Sequence, residues 1–234
     1  MEPLRSLLFD MDGTLCDTDT LHFQAYQKTL LDRLPHFNSG IPIAREFYDE
    51  HMSGLSNSVL VPRLFPDLNP TEQQELWEHK ESLYRQYAQQ GAVPLEGAVS
   101  LFSWCDTVAK LPRMVVTNAP RFDCNFTLTL LGLRETFGED KVVLGEECVA
   151  GKPDPAPYLE ALRQLGCVAK DAVAFEDSVV GATSAVAAGI PTIGITTSRS
   201  EATLKAAGVT FCVKSFADPK LLDYLSQRAQ AASA

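Results

Sequence analysis

Six short apolar runs alternate with helical patterns along this chain, and that alternation limits the fold more than anything else in it. The runs are Leu7–Phe9, Arg113–Val116, Val142–Leu144, Ala172–Phe175, Thr192–Ile195 and Phe211–Val213. Helical patterns follow at Gly97–Ala109, Phe122–Leu131, Pro155–Leu165, Val179–Ala188, a short one near Ala202–Ala207, and one from Pro219. Near-continuous apolar strands separated by helices predict a parallel sheet covered on both faces. The fold class expected is therefore α/β, a Rossmann-like parallel sheet.

The stretch from residue 17 to residue 92 breaks the alternation. It shows helix signals only, with Asp19 suited to N-cap a first helix through Leu21, Ala25, Leu30 and Leu31. Further helices are expected at about Ile43–Met52, from Ser56 to Phe65, and from Asn69-Pro70-Thr71 onward, where Pro70 suits the first helical position. Leu76, Leu83 and Tyr87 are expected to form the apolar face of that last helix. The expected division is a sheet-bearing core from residues 1–16 and 93–234, with an all-helical insert at 17–92.

Composition excludes several classes. The chain has 234 residues, 45% of them apolar, which suits one large globular domain or a domain with an insert. A formal net charge of −10 argues against nucleic acid or an anionic membrane as partner. No run approaches a membrane span, and the N-terminus lacks the pattern of a signal peptide, so a cytoplasmic monomer is expected. The six cysteines lack zinc or redox spacing and read as reduced, small core residues. The Ala/Ser/Gln-rich last few residues are expected to fray.

The side chains just past the strand ends carry the chemistry. The first strand runs into Asp10-Met11-Asp12-Gly13-Thr14. Carboxylates at i and i+2 of an extended segment point the same way, and two like charges that close need a cation or a shared proton. Asp12-Gly13 alone is an ordinary turn signal, so a metal site, an acid/base pair and a solvated turn are all open from this stretch. Later strands end in Thr117-Asn118, Gly145-Glu146, Glu176-Asp177-Ser178 and Thr196-Thr197. Ligands of open parallel sheets bind beyond such ends. Lys152, held between Gly151 and Pro153 before a helix, can reach the same edge.

Asp10-Met11-Asp12-Gly13-Thr14, Thr117-Asn118, Lys152 and Glu176-Asp177, in that order, resemble the four motifs of the haloacid dehalogenase superfamily. The resemblance covers nearly the whole chain and is strongest to its beta-phosphoglucomutase-like branch. Leu15–His22, Thr117–Arg121 and Lys152–Tyr158 look like the plant-type broad-range sugar-phosphate phosphatases. Such a resemblance implies a helical cap at 17–92 and hydrolysis of a small phosphorylated substrate through an aspartyl-phosphate. It implies Asp10 as nucleophile, and Asp12 as the acid and then the base. Mg²⁺ would be held by Asp10, the Asp12 main chain, Asp177 and Glu176, and the phosphoryl group by Thr117, Asn118 and Lys152. His22, Asn57 and Arg121 are the implied substrate contacts. A phosphosugar mutase is the main alternative, but the loop Ser53–Asn57 has no cation before Arg63 to grip a second phosphate. A catalytically silent binding protein is the third, though all four motif carboxylates are intact.

Overall fold

The computed structural model describes residues 2–231. Strands β1 (Ser6–Phe9), β2 (Arg113–Thr117), β3 (Val142–Leu144), β4 (Ala172–Glu176), β5 (Thr192–Ile195) and β6 (Phe211–Val213) form one six-stranded sheet. The order is β3-β2-β1-β4-β5-β6 and every pairing is parallel. The central strands are buried throughout, which is why their sequences read as unbroken apolar runs.

Alternation along each strand splits the core in two. Leu7 and Phe9 face one layer with Val115, Val173 and Phe175. That layer is closed by α5 (Ala98–Trp104), α6 (Arg121–Leu130) and α10 (Pro219–Ala231). Leu8 faces the other with Met114, Val116 and Ala174, under α7 (Ala156–Leu165) and α8 (Val179–Ala187). Phe9 is the hub of the first layer, stacked on Phe175 at 4.9 Å and edge-on to Phe102 at 5.4 Å. A short α9 (Glu201–Ala206) packs Leu204 against Ala182 and Val209.

Between β1 and β2 the chain makes only helices: α1 (Asp19–Arg33), α2 (Arg45–His51), α3 (Asn57–Leu64) and α4 (Pro70–Ala88). They have their own apolar centre, built from Tyr26, Leu30, Tyr48, Leu60, Val61 and Leu76 with their neighbours. At the start of α4 the Asn69 side chain accepts from the Thr71 and Glu72 amides, and Glu72 reaches back to the Asn69 amide. This capping box explains why α4 starts where the sequence signals it.

Three local expectations differ from the structure. Thr18, not Asp19, precedes α1; the Asp19 carboxylate turns instead to Arg45, Tyr48 and Ser53, where three donors satisfy it. The inner face of α4 carries Leu76, Lys80, Glu81, Tyr84 and Ala88, while Leu83 and Tyr87 are only half-buried. The helix expected to run to Ala109 ends at Trp104 and widens into a π turn over Cys105–Ala109. At the C-terminus α10 continues to Ala231, and the fraying expected of the last few residues falls on 232–234, outside the described residues. Among the described residues no helix is long and apolar enough to cross a membrane.

Candidate active site

The strand order reverses at β1, so the carboxyl ends of β1, β2 and β4 open onto one crevice. Asp10 leaves β1 with its amide still bonded to the Phe175 carbonyl at 3.1 Å, which fixes it beside the end of β4. Gly13 then turns the chain with φ +86°, and a Cβ there would come 2.0 Å from Asp177 Oδ2. The turn is thus tight because an acidic side chain from β4 occupies the space a larger residue would need. The Thr197 hydroxyl donates to the Gly13 carbonyl and Ser198 to Asp177, so the end of β5 braces the same turn.

Lys152 is the electrostatic centre. Its Nζ is buried and donates to Asp10 Oδ1 at 2.7 Å, Glu176 Oε1 at 2.6 Å and the Val116 carbonyl at 2.7 Å. Burial alone would lower its pKa, but Asp10 and Glu176 raise it above the ordinary lysine value. Asn118 holds the lysine's loop, accepting from the Lys152 amide at 3.0 Å and donating to its carbonyl at 3.1 Å. Gly145 and Gly151 make room for that side chain: added Cβ atoms would lie 2.3 Å and 2.9 Å from Asn118 Oδ1. Thr117 is buried at the end of β2, and its hydroxyl accepts from the Ala119 amide at 3.0 Å.

Asp10, Glu176 and Asp177 bring carboxylate oxygens within 4.8 Å of one another. Burial pushes Asp10 above the usual carboxylate range, against the pull of Lys152. Burial, then Asp10, pushes Glu176 to about 7 and Asp177 well above its ordinary value. One ammonium does not balance three acids. Glu176 Oε1 is taken by Lys152 and by the Tyr158 hydroxyl at 2.6 Å, yet its Oε2 is buried with no partner. An all-oxygen donor set with an orphaned carboxylate oxygen fits a hard divalent cation.

Asp12 points the other way, toward the helices. Its Oδ1 accepts from the Thr18 hydroxyl at 2.8 Å and the Tyr84 hydroxyl at 2.9 Å, with His22 Nε2 at 3.3 Å. Burial would raise its pKa, but His22, Thr18 and Tyr84 together hold it at about 2. Asp12 is therefore a carboxylate here, where the sequence resemblance implies a group that first donates a proton. The His22 ring stacks on Tyr84 with centroids 3.9 Å apart, and its Nδ1 lies 2.8 Å from Lys80 Nζ. The ring thus bridges Asp12 through Nε2 and Lys80 through Nδ1.

The two halves of the molecule touch across the crevice. Asn118 Nδ2 donates to the Gly54 carbonyl at 3.0 Å, Arg199 pairs with Asp49 at 3.0 Å, and Tyr84 meets Thr127 at 3.1 Å. Between them lies a part-open cavity, lined by Asp10, Asp12, Thr117, Lys152 and Asp177 below and by α1–α4 above.

Of the residues singled out in the sequence, Asp10, Asp12, Thr117, Asn118, Lys152 and Asp177 line this cavity, with His22 and Asn57 on the helical wall. Glu176 lies just behind, fully buried. Arg121 is not among the lining residues: it is half exposed at the start of α6 and pairs with Glu147. Sequence reasoning missed Thr18, Lys80, Glu81 and Tyr84. The available signal was that Lys80 and Tyr84 share a helix face with Leu76 and Ala88, which turns charged groups inward.

Comparison with known proteins agrees with this geometry. The family model described as haloacid dehalogenase-like hydrolase matches residues 7–195. A phosphorylated carbohydrates phosphatase of Thermotoga maritima is 28% identical over 195 residues, covering 81% of this chain and 84% of the relative. A phosphoglycolate phosphatase of Yersinia pseudotuberculosis is 30% identical over 199 residues, covering 82% and 81%. A haloacid dehalogenase-type hydrolase of family IA from Entamoeba histolytica superposes with a TM-score of 0.81 at 24% identity, over 96% of this chain and 100% of the other. With the match spanning most of the sequence and the charged residues gathered at the ends of β1, β2 and β4, the chain belongs to the haloacid dehalogenase-like hydrolase family.

Proposed function

We propose that this protein is a Mg²⁺-dependent phosphatase that hydrolyses monoesters of small phosphorylated carbohydrates, broad in range, through a phosphoryl group carried on Asp10. The observation that carries the proposal is the Lys152 ammonium bonded at once to Asp10 and Glu176, with Asp177 in the same cluster. Relatives named as phosphatases of phosphorylated carbohydrates and of phosphoglycolate support it.

Monoester hydrolysis is among the slowest uncatalysed reactions, so the site must supply on the order of 20 kcal/mol. In the first half an Asp10 oxygen forms a bond to phosphorus while the bond to the leaving alcohol breaks. In the second, water attacks the aspartyl-phosphate and regenerates the carboxylate. Lys152, with the Thr117 hydroxyl and amides near Asn118, stabilises the charge on the transferring oxygens. Asp12 protonates the leaving oxygen and then takes the proton from water. An approaching phosphate dianion raises the proton affinity of Asp12, which otherwise sits near 2. Asp10, Asp177, Glu176 and the Asp12 carbonyl are the groups that would hold Mg²⁺, whose chemistry there is to neutralise the phosphate.

Residues 17–92 act as a cap over the crevice. The contacts at Gly54, Asp49 and Thr127 join these helices to the sheet around the crevice; they open to admit substrate and re-form to exclude water. A sugar-phosphate panel assayed with Mg²⁺, and again with EDTA, tests the proposal. Phosphate release that EDTA abolishes is expected; no release across the panel would leave a binding protein, and conversion of one sugar phosphate to its isomer would leave a mutase.

A further inference from the structure

Glu81 plays no part in the chemistry above, yet it sits on the cavity wall. It is buried on α4, and its Oε1 accepts from Asn57 Nδ2 at 2.6 Å and from Lys80 Nζ at 2.9 Å. The Tyr26 hydroxyl donates to Asn57 Oδ1 at 2.7 Å, which fixes the Asn57 amide with its nitrogen toward Glu81. Glu81 Oε2 is buried and has no partner. Burial would raise the Glu81 pKa, but Lys80 and then His22 hold it below the ordinary glutamate value, so the group is charged. A buried carboxylate oxygen without a donor is a specific demand for one.

The charge of the wall points the same way. Among the described residues, Lys80 is the only Lys or Arg that α1–α4 place on the cavity lining. It lies between Glu81 and the His22 ring. Asp19, also on this wall, is taken up by Arg45, Tyr48 and Ser53. The Lys80 charge on this wall is thus paired with that of Glu81.

Building on the phosphatase reading, we propose that Glu81 determines specificity for the leaving group. Its free oxygen accepts a hydroxyl of a neutral sugar or polyol, and its charge, cancelling Lys80, rejects a leaving group that carries a carboxylate or a second phosphate. A hydroxyl satisfies the orphan oxygen, whereas an anion there meets a like charge in a water-poor wall.

The test compares kcat/KM for glucose 6-phosphate and 2-phosphoglycolate, with p-nitrophenyl phosphate as a reporter of the phosphatase reaction, in the full chain and in Glu81→Gln. The full chain is expected to favour the sugar ester by about tenfold or more. Glu81→Gln is expected to shrink that ratio by a similar factor, because it removes the charge while keeping the shape. A ratio below one in the full chain, or a ratio unchanged within about twofold in the variant, overturns the assignment. Should the variant fail to fold, competition in the full chain decides. Fructose 1,6-bisphosphate should inhibit p-nitrophenyl phosphate turnover about tenfold more weakly than fructose 6-phosphate, and equal inhibition overturns the proposal. Release from p-nitrophenyl phosphate with no preference sinks Glu81 alone, while no release from any ester sinks the phosphatase reading with it.

Discussion

Lys152 occupies a place that no other cation shares, between the acid that ends β1 and the acid that ends β4. Breaking a buried, hydrogen-bonded charge pair strands its partners, which costs more than losing an exposed pair. Lys152→Ala is therefore expected to lower turnover by about 10²–10³-fold, measured as kcat on any accepted phosphate ester. Asp10→Asn keeps the shape but removes the proposed nucleophile, and turnover should fall below detection; near-normal rates in that variant would remove the covalent mechanism. The titration of Glu176 gives a further expectation. Its folded pKa, about 7, lies above the ordinary glutamate value of 4.5. A raised acid stabilises the fold below the unfolded pKa, and that contribution is lost as pH rises through the folded pKa. The metal-free protein should lose stability between pH 4.5 and 7 from this group. The proposed Mg²⁺ would bind the deprotonated acids, so the rise in Tm on adding it should be larger at pH 8 than at pH 5.5. Thermal melts with and without Mg²⁺ at the two pH values check this, and an equal rise would contradict it.

At the scale of elements, α4 does most to shape the upper wall. Its capping box sets where it starts, and its length carries Lys80, Glu81 and Tyr84 over the crevice. Asn69→Ala removes an acceptor for two amides and should cost about 1 kcal/mol of stability, seen as a lower denaturation midpoint with an unchanged slope. The three Asp12 donors come from different elements: Thr18 before α1, His22 within it, and Tyr84 on α4. The helical block therefore holds Asp12 directly.

For the whole molecule, the helical block meets the rest around the cavity and along a seam between α4 and α6. Asn118 with Gly54, Arg199 with Asp49 and Arg85 with Asp123 make polar contacts across this junction, and beside them Leu83, Tyr84, Tyr87 and Ala88 of α4 cluster with Phe126 and Leu130 of α6. The polar contacts separate at modest cost, as the opening proposed above requires.

The parallel sheet was legible in the sequence because buried strands such as Val142–Leu144 and Ala172–Phe175 must be apolar on both faces, a local property written residue by residue. Asp10, Lys152 and Asp177 were legible too, since strand-end position alone brings their loops to one edge. The inward face of α4 was not. Leu83 and Tyr87 match the helical period as well as Tyr84 does, and only packing against α1 and α6 turns Lys80, Glu81 and Tyr84 toward the cavity. Arg121 likewise follows a motif in the chain yet pairs with Glu147 outside the cavity. Periodicity and strand-end chemistry are local, so the order of residues determines them. The direction of a charged side chain on a helix depends on which partner can satisfy it, and that choice exists only once distant segments have met.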